Sequence, residues 1–189
     1  MKKLIIISMC ILLGGSSYAK GNKFTGIKTV YSGSTAWKEW KIKLGSSTIR
    51  LKTIYSGNDA WKSWKFKLNG KTGHIKTVYS GNDAWKQWRL KYNGKTVSIK
   101  TVYSGRDAWK EWKVRMGNKI IKMETIYSGS SAWKEWRAVS KNGKLTIKTR
   151  YSGRDGWKDW RIKDKLIESP AMKLATIFVA MYSGALRSH

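Results

Sequence analysis

The chain repeats itself every 24 residues, and this repeat constrains its fold more than any other feature. Tyrosine followed by Ser-Gly recurs with that spacing at six positions, which are Tyr31, Tyr55, Tyr79, Tyr103, Tyr127 and Tyr151. Two tryptophan series keep the same spacing and together contain all 12 tryptophans of the chain. The first series is Trp37, Trp61, Trp85, Trp109, Trp133 and Trp157, and the second is Trp40, Trp64, Trp88, Trp112, Trp136 and Trp160. Six copies of one supersecondary unit predict a repeat architecture.

Each unit contains the signals of an antiparallel β-hairpin. Asn69-Gly70 and Asn93-Gly94 are typical two-residue turns, because both residues of a type I′ turn take positive φ. Gly45-Ser46 and Gly117-Asn118 occupy the equivalent positions. The residues that flank these turns alternate between apolar and basic. In the second unit the apolar face holds Trp64, Phe66, Leu68, Ile75 and Tyr79. The alternation, with Tyr55 and Tyr103 on the same face of their units, predicts a half-buried antiparallel sheet.

Two local features leave room for more than one structure. In the fifth unit Asn142-Gly143 lies one residue late, which predicts a longer loop there. Between hairpins runs the segment S-G-x-[DST]-A, whose fourth residue suits a helix cap or an Asx or Ser/Thr turn. Either a tight turn or one helical turn fits this segment. In a strand Trp37 would point away from Trp40, whereas in a helical turn the two would point the same way.

We therefore predict an all-β fold built as an array of six 24-residue antiparallel β-hairpins. A lone hairpin is marginally stable in water, so the units must pack side by side or close into a ring or barrel. The alternative is a β-solenoid with one unit per coil. It would stack Lys38 and its equivalents about 4.8 Å apart, where like charges repel, and hairpins are favoured for that reason.

The chain divides into three parts by composition. Residues 1–19 have the features of a signal peptide, with Lys2 and Lys3 before an apolar stretch and cleavage after Ala19. Residues 20–163 form the six-repeat domain. Residues 164–189 are a C-terminal cap, in which the apolar run after Pro170 is interpreted as a final strand that covers an edge or closes the ring. A short core helix is the alternative for this run.

The signal peptide predicts a secreted or periplasmic protein whose mature chain has no transmembrane segment. Cleavage would remove Cys10, the one cysteine of the chain. Neither a disulfide nor thiol chemistry would then remain, so the mature protein would be held together by packing alone.

The charge is one-sided: Lys and Arg number 39 against 11 Asp and Glu, a net charge of +28. The basic residues recur at fixed positions of the unit, which predicts a continuous positive surface. From this surface we predict an exported cationic binding module for a polyanion, whether acidic polysaccharide, lipopolysaccharide or other envelope phosphate, or nucleic acid. The candidate polyanion-binding residues are Lys38, Lys41, Lys62, Lys65, Lys67, Lys76, Lys86, Arg89, Lys91, Lys100, Lys110, Lys113, Lys134, Arg137, Lys158 and Arg161.

Two other functions fit the same repeats. The second tryptophan series lies on the apolar face and is assigned to the core. The first series, next to the Lys38 series, would provide aromatic stacking if exposed, as in a lectin for neutral glycans. Its members are Trp37, Trp61, Trp85, Trp109, Trp133 and Trp157. The third candidate is a structural cell-surface repeat protein whose charge only confers solubility.

Little in the sequence favours an enzyme. The chain has two histidines, His74 and His189, and neither recurs. Its acidic residues are mostly copies of structural positions, such as Asp59 in the connecting segment and Glu39 between the paired tryptophans. A catalytic pair normally occurs once in a chain. We therefore predict a protein without catalytic residues, bound metal or cofactor.

Overall fold

The repeats form a closed twelve-stranded antiparallel barrel. A computed structural model describes residues 23–187 of the chain, so the predicted signal peptide lies outside the described residues. The predicted barrel of hairpins is confirmed, and the solenoid alternative is wrong, since all neighbouring strands are antiparallel. The strands are β1 Phe24–Thr29, β2 Glu39–Leu44, β3 Ser47–Thr53, β4 Ser63–Leu68, β5 Lys71–Thr77, β6 Gln87–Tyr92, β7 Lys95–Thr101, β8 Glu111–Met116, β9 Lys119–Thr125, β10 Glu135–Ser140, β11 Gly143–Thr149 and β12 Asp159–Leu166.

The barrel closes because the strands of the first and last units pair with each other. Ile27 of β1 lies opposite Trp160 of β12, and on its other side opposite Ile42 of β2. Every strand therefore has a partner on both sides. A closed sheet has no free edge, which removes the template for edge-to-edge aggregation that an open array would expose.

The five hairpin loops all contain two residues, and they lie at one end of the barrel. Asn69 and Asn93 have φ of 48°, as the Asn-Gly turns require. The longer loop predicted for the fifth unit is wrong, because Ser140 pairs directly with Gly143. The unit changes its turn type instead of its loop length. Gly143, at φ of 114°, supplies the positive φ just after the loop.

At the opposite end, one turn of 3₁₀ helix leads into each even-numbered strand. The helical alternative for the connecting segment is therefore correct, and both tryptophans of each unit pack in or against the core. Trp40 Nε1 donates a hydrogen bond to the Trp37 carbonyl, and the same bond recurs in all six units at 2.5–2.8 Å. The turns are Ala36–Lys38, Ala60–Lys62, Ala84–Lys86, Ala108–Lys110, Ala132–Lys134 and Arg154–Lys158.

The apolar face of the hairpins lines the barrel interior, with one exception to the predicted pattern. The second tryptophan series is buried, as predicted. The tyrosines of the repeat are exposed, although the alternation placed Tyr55, Tyr79 and Tyr103 on the apolar face. The reason is that β5 ends at Thr77 and the chain bends before Tyr79. Period-two alternation applies only within a strand, and the tyrosines lie beyond its end.

The C-terminal segment is an α-helix, α1, which spans Pro170–Arg187 and lies inside the barrel. The predicted final strand is wrong, and the core-helix alternative is correct. Residues 171–184 are all buried, because the helix is apolar on nearly every side and fills a lumen that is too wide for strand side chains alone. Within the described part of the chain, no helix is both long and apolar enough to cross a membrane.

A buried ion pair fixes α1 to the barrel wall. Lys173 of α1 lies 2.8 Å from the Asp164 carboxylate of β12, and both side chains are buried. Asp164 also accepts hydrogen bonds from the backbone N–H groups of Phe24 and Leu166. One carboxylate thus joins the first strand, the last strand and the helix. This arrangement sets the depth at which the helix is inserted.

We predict that Lys173→Met destabilises the protein by about 3–5 kcal/mol, because it leaves the Asp164 carboxylate buried without its counter-charge. Urea unfolding followed by tryptophan fluorescence measures this change. Adding Asp164→Asn to Lys173→Met should recover part of the loss, since it removes the stranded charge. The control Lys163→Met, at an exposed position of β12, should change stability by less than about 0.5 kcal/mol. Equal unfolding midpoints for Lys173→Met and the unmodified protein would contradict this role.

Candidate functional site

The outward face of the barrel carries a circumferential row of cations, which we call the basic belt. It forms because the residues between the buried positions of each strand point outward, and the repeat places Lys or Arg at many of them. Directly opposed pairs across neighbouring strands include Lys52 with Lys65, Lys76 with Arg89, and Lys100 with Lys113. The belt consists of Lys28, Lys41, Lys52, Lys65, Lys76, Arg89, Lys100, Lys113, Arg137, Lys148 and Arg161.

Carboxylates neutralise the basic belt in some units and not in others. Glu135 lies 2.6 Å from Lys148, and Glu124 pairs with Arg137. The hydrogen bond and charge of Glu135 raise the pKa of Lys148 above its usual 10.5. Strands β4–β7 contain no Asp or Glu, because Ser63 and Gln87 replace the Glu or Asp that begins the other even-numbered strands.

The side of the barrel formed by β4–β7 is therefore the acid-free segment of the belt. A groove of about 340 Å³ on this segment is lined by the cations Lys76, Arg89 and Lys91 and by His74, Thr77 and Val78. A second groove, of about 320 Å³, includes Lys52, Lys65 and Lys67 in its lining, and Arg50 and Glu39 also line it. The exterior is thus concave between strands, and cations line the hollows.

The predicted site residues Lys38, Lys62, Lys86, Lys110, Lys134 and Lys158 lie apart from the belt, in the 3₁₀ turns. Each of their ammonium groups lies 5.5–5.7 Å from the ring centroid of the preceding tryptophan. Four also form ion pairs with the aspartate three residues earlier, as Lys62 does with Asp59 at 2.7 Å. These lysines are engaged within their own turns.

The aspartates of the connecting segment act through charge and not as helix caps. Asp59, Asp83 and Asp107 immediately precede their 3₁₀ turns, but their side chains make no capping hydrogen bond. Of the roles predicted for this position, the helix cap is therefore wrong. The ion pair with the lysine three residues later is the contact that their carboxylates make instead.

The first tryptophan series is not uniformly exposed. Trp109, Trp133 and Trp157 are buried, which rules out the stacking surface predicted at these three positions. Trp37, Trp61 and Trp85 are half-buried and pack against the core. The difference arises from α1, which packs most closely on strands β6–β9 and on the 3₁₀ turns of the last two units.

Sequence reasoning missed six exposed aromatic side chains, the tyrosines of the Tyr-Ser-Gly motif. They are 54–65% exposed, and the repeat distributes them around the 3₁₀ end of the barrel. Between Tyr127 and Tyr151 lies a groove of about 340 Å³, whose lining includes Lys134, Lys148 and Arg161. The sequence signal for the exposed tyrosines was the Ser-Gly that follows each of them, since a turn dipeptide marks the end of strand alternation. Rings and cations are thus adjacent on the surface.

Within residues 23–187, no group of three His, Cys, Asp or Glu side chains is placed to hold a metal ion.

No protein-family model, curated protein or solved structure matches the chain.

We predict that Lys76→Glu stabilises the protein by about 0.2–1 kcal/mol, because it replaces a like-charged cross-strand pair with Arg89 by an opposite-charged one. Thermal unfolding at low salt measures this change. Lys95→Glu, which makes the same change of charge opposite Tyr92, is the control for net charge. If Lys76→Glu and Lys95→Glu shifted stability equally, cross-strand repulsion in the belt would be refuted.

Proposed function

We propose that this protein is an exported binding module for a polyanion, which it holds on the basic belt. The observation that carries the proposal is the alignment of cations across neighbouring strands, as in the pair of Lys76 with Arg89. Like charges placed directly opposite each other destabilise a sheet. Solubility alone is achieved by mixed charge, so a one-signed surface with this cost favours an anionic ligand.

The binding mechanism is neutralisation of charge along a polymer. Each anionic group that meets a Lys or Arg releases condensed counterions, so affinity falls steeply as salt rises. Because the units repeat, the belt offers equivalent cations at regular intervals around the barrel. A polymer bound at one unit is held at high effective concentration near the next, which raises overall avidity.

The acid-free segment is the part of the belt that we propose binds the polymer most strongly. There Lys65, Lys76 and Arg89 have no carboxylate on their own strands, whereas Arg137 is paired with Glu124. A free cation has no internal ion pair to break when an anion binds. Arg89 adds a planar guanidinium that suits sulfate, phosphate and carboxylate groups.

The exposed tyrosines favour a polyanion that also contains rings. The ammonium of Lys148, which is ion-paired with Glu135, lies 6.0 Å from the centroid of the Tyr127 ring, so the tyrosine rings lie within reach of the belt. Aromatic side chains stack on sugars and on unpaired bases with little sequence preference. Acidic polysaccharides and single-stranded nucleic acids both combine such rings with regular charge.

The proposal predicts that the mature protein binds heparin and single-stranded DNA at about 50 mM salt and has roughly a thousandfold lower affinity at about 200 mM. The triple variant Lys65→Gln/Lys76→Gln/Arg89→Gln should weaken binding, because it removes three cations from the acid-free segment. It should also make the salt slope shallower, by about 0.7 for each phosphate of a single strand that is no longer neutralised. Fluorescence anisotropy with labelled oligomers, repeated across salt concentrations, measures both quantities.

The matched control is Lys141→Gln/Lys144→Gln/Lys165→Gln, which removes the same charge from exposed positions across the barrel. It should bind more tightly than the acid-free-segment variant. Equal weakening in the two variants would indicate a response to net charge without a localised site. Absence of binding to heparin, lipopolysaccharide and DNA at low salt would refute the proposal. Binding to neutral glycans that survives high salt would favour the lectin alternative.

A further inference from the structure

An apolar pocket opens at the 3₁₀ end of the barrel, beside the C-terminal turns of α1. It has a volume of about 210 Å³, and its walls are almost entirely apolar. The lining residues are Trp37, Trp40, Trp61, Trp64, Met181, Tyr182, Ala185 and Leu186. None of these residues belongs to the basic belt, so the pocket is a separate feature of the molecule.

The pocket exists because α1 lies off-centre in the barrel. Gly184 allows the helix to touch the far wall, where a Cβ on this residue would lie 2.6 Å from the Trp160 ring. The helix therefore leans toward the last two units and covers Trp133 and Trp157. On the other side, the first-series tryptophans of the first two units, Trp37 and Trp61, stay half-buried.

The repeat itself shows that this gap is specific to one side. All six units place equivalent tryptophans around the mouth, yet only Trp37, Trp61 and Trp85 of the first series keep partial exposure. Trp37 and Trp61 flank the gap, and Leu186 at its rim is 51% exposed. An open, preformed apolar hollow with rigid aromatic walls is typical of small-molecule sites.

One cation next to a tryptophan of the pocket lining lacks the partner that most of its equivalents have. Lys62 pairs with Asp59 at 2.7 Å, but in the first unit the aspartate position holds Thr35. Lys38 therefore has no carboxylate partner among the described residues, although its ammonium lies 5.6 Å from the centroid of the Trp37 ring that lines the pocket. An anion held there would take the place of the aspartate that four of the other units supply.

We propose that this pocket binds the hydrocarbon tail of a single-chain anionic amphiphile, such as a fatty acid, with Lys38 attracting the head group. The apolar walls account for the tail, since its burial is driven by removal of apolar surface from water. Lys38 accounts for the head group, since its ammonium lies over the ring of Trp37, which lines the pocket, and it has no carboxylate partner among the described residues. The amphiphile inserts tail first, between α1 and the tryptophans of the first two units.

The test uses the full mature protein with 11-bromoundecanoate at concentrations below its critical micelle concentration. A bromine at the tail end quenches tryptophan fluorescence on contact, so saturable quenching is expected, whereas undecanoate should compete without quenching. Binding should persist at high salt, because the tail contributes most of the affinity. Persistence at high salt also separates this site from the belt, whose binding is salt-sensitive.

Ala185→Phe is the informative variant, since its ring would occupy the pocket from α1. It should abolish quenching while keeping or raising thermal stability. The control Ser104→Phe adds the same ring at an exposed loop position and should bind as the unmodified protein does. Unchanged quenching in Ala185→Phe, or no saturable quenching in the unmodified protein, would overturn the assignment of the site.

The variant Lys38→Gln tests the proposed role of Lys38 in attracting the anionic head group. This variant should bind undecanoate about two- to fivefold more weakly, the effect of one exposed ion pair, and undecanol with unchanged affinity. The matched variant Lys86→Gln, in the third unit, should affect neither ligand. Equal effects of Lys38→Gln on both ligands, or none on either, would refute the role of Lys38 and leave a site for an uncharged tail.

Discussion

The structure depends on a closed ring of twelve tryptophans at one end of the barrel. Within a unit, the second tryptophan donates its indole N–H to the carbonyl of the first. Between units, the first tryptophan packs edge-on against the second tryptophan of the next, at 5.8–6.2 Å between centroids. The contact of Trp157 with Trp40 joins the last unit to the first. This ring links every connection to its neighbours, so the unit period and the closure of the sheet support each other.

A ring of this size leaves a lumen that the strands cannot fill, and α1 resolves this. The helix is apolar on nearly all sides, and Phe178 packs between Trp64 and Trp88 at the barrel interior. Asp164 and Lys173 hold the helix at one depth, while Gly184 sets the side toward which it leans. The barrel wall repeats six times, but the helix inside it lies closer to one side. The six units therefore differ in how much of each the helix covers. The pocket beside the tryptophans of the first two units is a direct consequence of that mismatch.

The two cation sets differ in what surrounds them, although the repeat generates both. Lysines of the 3₁₀ turns, such as Lys62, are held by a tryptophan face and an aspartate, which stabilises the loops. Cations of the belt, such as Lys76 and Arg89, face one another on the outside of the sheet. The fold tolerates their repulsion because the core beneath them is continuous and aromatic. Most turn lysines thus have structural partners, whereas the belt cations of the acid-free segment have no carboxylate on their own strands.

The sequence by itself determined the repeat, the hairpins, their register and the burial of the second tryptophan series, because turn residues and period-two alternation are local. It also placed the belt cations outward for the same reason. Tertiary structure decided the rest. The C-terminal run had a helix start in Ser169-Pro170, but whether it paired with an edge or filled a lumen depended on closure of the barrel. Closure and the lean of the helix, both long-range outcomes, then decided which tryptophans are covered and which line a pocket.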